Sequence, residues 1–420
     1  MTAIDALTLR NLVAAGDRDA AASLLAVAIE SLVGESVAKV LVTSDEYSLN
    51  SVSGTAFLGG GDTCFFKFHV EEGEADGVGE YYRANVLRDA GLPVDVPLAF
   101  STVAGQQLVL YRSRTEQRLV DVCRDIERKD GAHASLPRDL LQARRSLDEA
   151  IGKVAVQTLR LSESNEGARA SLHQLFSHRM HDGEDFPGGR LARWYLSQPG
   201  WQDLARRTWT LDGVHFAESL DTIITEARRL LAPVRLGSGP VITAHGDDHN
   251  GNVWVDHGVD GVSLTLFDPA FAGTDLPSLL ALVKPTFHNV FAHPDWLYHP
   301  HEIDLEELTV VTQGEATEIS FVSLSPLRQE ILDSMVDGAW IPLLSRMKSE
   351  GWLDPDWRTT VRSALAMCPL LVTNLLDEQR LPEVRLLGLA KVVQMGSEPT
   401  LGKDSLTKAL DRIQEAVEAA

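Results

Sequence analysis

Of the 420 residues, 44% are hydrophobic and 23% charged, which allows a sizeable core and argues against a disordered chain. The 60 acidic residues outnumber the 38 basic ones and leave a formal charge of −22, a poor match to a general nucleic-acid phosphate binder or to anionic lipid, and a better one to a neutral or cationic small molecule. At about 150 residues per domain, the length suggests two or three domains or one large two-lobed unit.

Residues 1 to 34 read as helix, with Leu9, Leu12 and Val13 and then Leu24, Leu25, Ala28 and Leu32 at helical spacing, and Gly16 as the break. Acidic Asp5 and Asp17 precede the apolar stretch, so no signal peptide is expected. From Val37 the texture turns β-prone: Val37–Thr43, Ser51–Leu58 and Thr63–Val70, with Gly59-Gly60-Gly61 as a hairpin turn. The triplet has no Lys-Ser/Thr after it, as a P-loop would require. Acidic Glu71–Asp76 reads as a linker, and a helix from Gly79 to Ala90 is stopped by Gly91 and Pro93. Gln106–Arg112 is a further strand.

After Thr115 the chain reads as mostly helical, with Leu147, Ile151, Val154 and Thr158 on one amphipathic face. Three β-prone segments follow, Pro240–Ala244, Asn252–Asp256 and Val262–Phe267, and the remainder reads as largely helical apart from an extended, proline-rich loop over Pro285–Pro300. The aromatic residues of that loop, Phe287, Phe291, Trp296 and Tyr298, make it a candidate for shaping a substrate pocket. Cys64, Cys123 and Cys368 form no CxxC pair, which excludes a disulfide scaffold and fits a reducing compartment. No run reaches the roughly 18 apolar residues of a membrane span. A cytoplasmic protein without nucleic-acid or membrane partners is expected, and no oligomeric state is legible.

The chemistry concentrates in His245-Gly246-Asp247-Asp248-His249-Asn250-Gly251-Asn252 and, after a hairpin, Phe267-Asp268. Asp247, Asn252 and Asp268 supply hard oxygen donors of the kind Mg²⁺ takes together with phosphate oxygens. A carboxylate not spent on metal can accept a proton from a substrate hydroxyl. Together these parts suit phosphoryl transfer.

The order His-Gly-Asp, Asn and then Asp at the end of the next strand resembles the active site of the aminoglycoside phosphotransferase family, small-molecule kinases of the protein-kinase-like superfamily. The resemblance implies an α+β, protein-kinase-like bilobal fold with a helical appendage (1–35), a small β-rich N-lobe (36–112) and a large, mainly helical C-lobe (113–420). It implies Asp247 as catalytic base, Asn252 and Asp268 as Mg²⁺ ligands, and His245 as a structural brace. Gly246 stands where protein kinases carry an arginine. Lys67, the lone lysine among the aromatics of its strand, would hold the phosphates of ATP (or GTP), with Glu80 on the next helix as its partner and Glu74 as a rival. Leu108–Ser113 would be the adenine-binding hinge. The phosphate-covering turn, 44–53, lacks the usual early glycine, so Ser44, Ser48 and Ser51 are its phosphate-binding candidates. The acceptor would be a small hydroxyl compound such as an aminoglycoside, amino sugar, sugar or related metabolite. Two other readings stand beside this one: a non-catalytic nucleotide-binding scaffold of the same fold, and a metallohydrolase that binds zinc through His245 and His249.

Overall fold

A computed structural model describes residues 6–43, 51–69, 80–101, 107–181, 189–259, 261–292, 294–321 and 324–420. Helices α1 (Ala6–Ala14) and α2 (Arg18–Val33) are separated at Gly16, whose φ of 79° is open to glycine without strain. The side chain of Asp17 caps α2 by accepting the Ala20 N–H at 3.1 Å. Strands β1 (Val37–Thr43), β2 (Ser51–Leu58), β3 (Thr63–His69), β4 (Ala99–Phe100) and β5 (Gln107–Arg112) build an antiparallel sheet in the order β1-β2-β3-β5-β4.

Alternation along β3 divides its residues between two environments. Cys64, Phe66 and Phe68 are buried in a small core with Leu9, Leu25 and Ile29 of the two helices. Phe65 and Lys67 therefore fall on the opposite face, which turns toward the rest of the molecule. The glycine turn joins β2 to β3 as expected. Ser51 opens β2 opposite His69, at the start of the expected β-prone run and inside the span expected to cover the phosphates. Ser44, Ser48, the 71–76 linker and Glu74 lie outside the described residues.

Helices α3 (Glu80–Ala90), α4 (Leu119–Asp130) and α5 (Arg138–Thr158) follow. Beyond α5 come β6 (Arg160–Leu161), β7 (Thr208–Leu211), β8 (Val214–Phe216), β9 (Pro240–Ala244), the hairpin β10 (Val253–Gly258) and β11 (Gly261–Leu266), β12 (Gly273–Pro277), the hairpin β13 (Thr309–Gln313) and β14 (Ala316–Ser320), and β15 (Pro399–Leu401). The central helix α5 buries Leu147, Ile151, Val154 and Ala155 and packs against β9 and β11. Its Gly152 meets the 336–340 segment backbone to backbone: a Cβ there would stand 1.9 Å from the Gly338 carbonyl oxygen. The long helices Trp357–Val372, Pro382–Gly396 and Ser405–Ala419 complete an α+β molecule whose larger part is mainly helical. Among the described residues no helix is long and apolar enough to cross a membrane.

Two expectations are corrected. The mainly helical remainder also contributes to a second five-stranded sheet, β13-β14-β7-β8-β15. Its strands are three to five residues long, too short for an alternation such as that of Trp209 and Leu211 in β7 to stand out. The segment expected as an extended loop over Pro285–Pro300 is helical at Phe287–Phe291 and Pro294–Leu297. Pro294 opens the second helix, where no N–H is needed. Phe287 and Trp296 are fully buried in the core, so these aromatic residues pack the fold rather than line an open loop.

Candidate active site

Strand β9 delivers the chain into the loop 245–252. Gly246 adopts φ 78°, and a Cβ there would come within 3.1 Å of the Phe271 carbonyl oxygen. Any side chain at this position is thus opposed by both strain and contact. The loop is then closed by a circuit of hydrogen bonds. The Asp247 N–H donates to His245 Nδ1 (3.3 Å), and His245 Nε2 in turn donates to the Phe267 carbonyl (2.9 Å). The Phe267 N–H donates to the Asn252 carbonyl (3.0 Å), while Asn252 Nδ2 donates to the Asp247 carbonyl (2.8 Å). One ring of contacts thereby registers Asp247, Asn252 and the residue before Asp268 against one another. With its Nδ2 committed, Asn252 has its carboxamide oxygen left to offer a cation. Both ring nitrogens of His245 are engaged with backbone, which leaves it no lone pair for zinc.

Asp268, at φ 58°, ion-pairs with Lys67 from the cleft-facing side of β3. Its neighbour Ala270 accepts from Arg83 of α3 through its carbonyl oxygen. Glu80 sits at the first position of α3, and its side chain lies outside the described set. Three of the sequence-predicted residues, Asp247, Asn252 and Asp268, are thus brought together, and Lys67 of β3 joins them through its ion pair to Asp268.

Two groups at the site were missed by sequence reasoning. Lys284, in the helical turn Val283–Thr286, is buried with its Nζ 2.8 Å from Asp247 Oδ1. Its signal was a single cation in the apolar run Leu279–Phe287. Beneath the loop, Arg144 and Asp148, both 1% exposed, form an i,i+4 ion pair on α5. Arg144 also donates to Asn250 Oδ1 (3.2 Å), Ser334 donates to Asp148 (2.6 Å), and Asn289 Oδ1 accepts the Asn250 N–H (2.6 Å). Asp248 is buried nearby, and burial pushes its carboxyl upward.

A cavity of about 90 Å³ opens beside this centre, lined by Thr55, Phe65, Tyr111, Ser113, Trp254 and Phe267 among others. The Trp254 and Phe267 rings stack at 4.3 Å and 19°. Arg114 fixes the chain leaving β5 by ion pairs to Asp95 (2.9 Å) and Asp256.

His249 accepts the Gly251 N–H at Nδ1 (3.0 Å), and its Nε2 stands 3.7 Å from Asp247 Oδ1, beyond hydrogen-bond reach. Burial pushes its imidazole down to about 4, and burial also holds His288 well below its usual range. An unfolded histidine takes up its proton near about pH 6.5. The stability contributed by the neutral ring is therefore complete above that value and drains away as pH falls toward about 4. In urea titrations, His249→Asn is expected to lose stability less steeply than wild type between neutral pH and the pKa of the buried ring. Parallel pH profiles for the two proteins would contradict this assignment.

No protein-family model matches the chain, and no curated protein matches it either. Solved structures overlie most of it at low identity. A spectinomycin phosphotransferase in complex with ADP and spectinomycin shares 13% identity over 89% of this chain and 98% of its own, with a TM-score of 0.37. An aminoglycoside-3'-phosphotransferase of type VIII shares 16% over 79% and 92%, at 0.38. A microcompartment-associated aminopropanol kinase shares 15% over 86% and 94%, at 0.41. Likeness at this level carries no functional argument, and function is read from the side chains of the site.

Proposed function

We propose that the protein is a small-molecule kinase that transfers the γ-phosphoryl group of ATP, or GTP, to a hydroxyl of a small acceptor. One observation carries this reading. Asp247 is buried, and among the described residues its Oδ1 is met by the Lys284 ammonium at 2.8 Å and by no hydroxyl or backbone N–H. A carboxylate held ionised by that ammonium keeps a lone pair to spare, and a substrate hydroxyl is a donor whose proton it can take.

The remaining parts fit around that contact. The Trp254–Phe267 stack and the Tyr111–Ser113 segment border a cavity suited to the edge of a planar purine. Lys67 holds the phosphates, with Glu80 and Ser51 as further nucleotide-side residues; Ser48 keeps the same assignment on sequence grounds. The hard-oxygen pair Asn252 and Asp268 suits Mg²⁺, and Lys67 already places a positive charge against Asp268. Mg²⁺ would supply charge neutralisation on the phosphate oxygens. Asp247 receives the hydroxyl proton, and His245 and Asn252 hold its backbone in place.

At the reacting centre Lys284 pairs with Asp247 and Lys67 with Asp268, so these two carboxylates are already matched by cations. The reacting end of the acceptor is therefore a neutral hydroxyl-bearing carbon, and any ammonium group lies farther out. The three cysteines are free and buried, in keeping with a cytoplasmic setting. A panel of sugars, amino sugars, aminoglycosides and amino alcohols, assayed with MgATP for mass gain of one phosphate, tests the reading. Nucleotide binding without turnover of any acceptor would favour the scaffold instead.

A further inference from the structure

Lys284 is 7% exposed and carries the one charge in the apolar run Leu279–Phe287. Burying an ammonium is expensive unless it is paired, and the pairing here is with the carboxylate that the kinase reading assigns to proton transfer. The contact spans Asp247 Oδ1 at 2.8 Å, and Lys284 Nζ also lies 5.8 Å from the centre of the Phe271 ring. The ammonium thus stands one contact away from the point where the acceptor oxygen meets phosphorus.

We propose that Lys284 is a catalytic residue that binds the transferring phosphoryl group. This inference rests on the kinase reading of Asp247. The acceptor oxygen forms a bond to the γ-phosphorus as the bridging O–P bond breaks, and the nucleoside diphosphate leaves with that electron pair. The hydroxyl proton passes to Asp247 Oδ1 and later to water. Lys284 keeps its protons throughout. Before transfer its charge is balanced by ionised Asp247; as Asp247 is protonated, that balance is lost while negative charge gathers on the phosphoryl oxygens. The ammonium is then stabilised by the phosphoryl group, an interaction that is stronger in the transition state than in the ground state. His249 cannot take this part, because burial keeps its ring neutral at physiological pH.

The test compares wild type with K284M, K284Q and K284R in steady-state kinetics and in calorimetric titration with Mg²⁺-ADP and a non-hydrolysable Mg²⁺-ATP analogue. K284M should lower kcat by about 10²-fold or more. It should leave ADP affinity unchanged and weaken the analogue by about tenfold, with K284R recovering part of both losses. K284Q gives the same comparison should K284M fail to fold. Three results overturn the proposal: kcat within threefold of wild type, equal weakening of ADP and analogue, or a rise in acceptor KM alone. Should wild type phosphorylate nothing, the kinase reading falls, yet the analogue-to-ADP ratio still shows whether Lys284 contacts a terminal phosphate.

Discussion

Exchange of Asp247 for asparagine lowers kcat by about 10³-fold while nucleotide affinity stays near wild type. Asparagine keeps the shape and the backbone bonds to His245 and Asn252, so the loop circuit survives. What it loses is the capacity to take a proton from the acceptor. The amide also removes the counter-charge of Lys284, but that cation can still reach a phosphate. Because the loss falls on the chemical step, kcat and kcat/KM should drop together. The acceptor-panel mass assay and nucleotide calorimetry measure both halves. An Asp247→Asn enzyme with wild-type turnover would remove Asp247 from the chemistry.

Replacing Asp148 by alanine destabilises the protein by about 4 kcal/mol. Asp148 holds the Arg144 guanidinium charged against the burial that opposes it. Without the carboxylate an unpaired charge remains in the core, and Ser334 loses its acceptor. The loop feels this too, since Arg144 Nη1 holds Asn250 from below. Replacing both members of the pair by apolar residues of similar size, as in Arg144→Met with Asp148→Leu, should restore much of the stability but not the anchoring of Asn250. Urea denaturation of the single and double variants reads this directly. A single-variant loss below about 1 kcal/mol would show that the pair is not a structural anchor.

What the sequence disclosed and what it withheld follow from how each feature is encoded. Asp247, Asn252 and Asp268 lie within one short stretch, and polar groups crowded between β-prone segments demand an explanation even unaligned. Lys67 stood out as the one lysine among the aromatic residues of its strand, where the resemblance called for one. Arg144 and Asp148 gave no comparable sign, and Lys284 only that of a lone cation in an apolar run. Asp148 and Arg144 look like an ordinary surface i,i+4 pair on a helix, and only the burial of α5 under the loop changes their meaning. Lys284 is 37 residues from Asp247, a contact that tertiary packing alone creates. The second sheet escaped for a related reason: β14 runs parallel to β7 from more than a hundred residues away, and the alternation of each spans only four or five residues.

On the kinase reading, the pairing of Lys67 with Asp268 and of Lys284 with Asp247 also bears on how a polyphosphate reaches the site. A cation one contact from a carboxylate is felt at distance as a dipole, which fades faster than a lone charge. Farther out, an approaching anion meets the field of a chain bearing −22. Encounter is therefore slowed electrostatically, and attraction begins only once the ligand is within contact of the two cations. Salt shortens the reach of that repulsion, to about 10 Å at 0.1 M. Nucleotide association should quicken as ionic strength rises, the reverse of an enzyme that steers its substrate by charge.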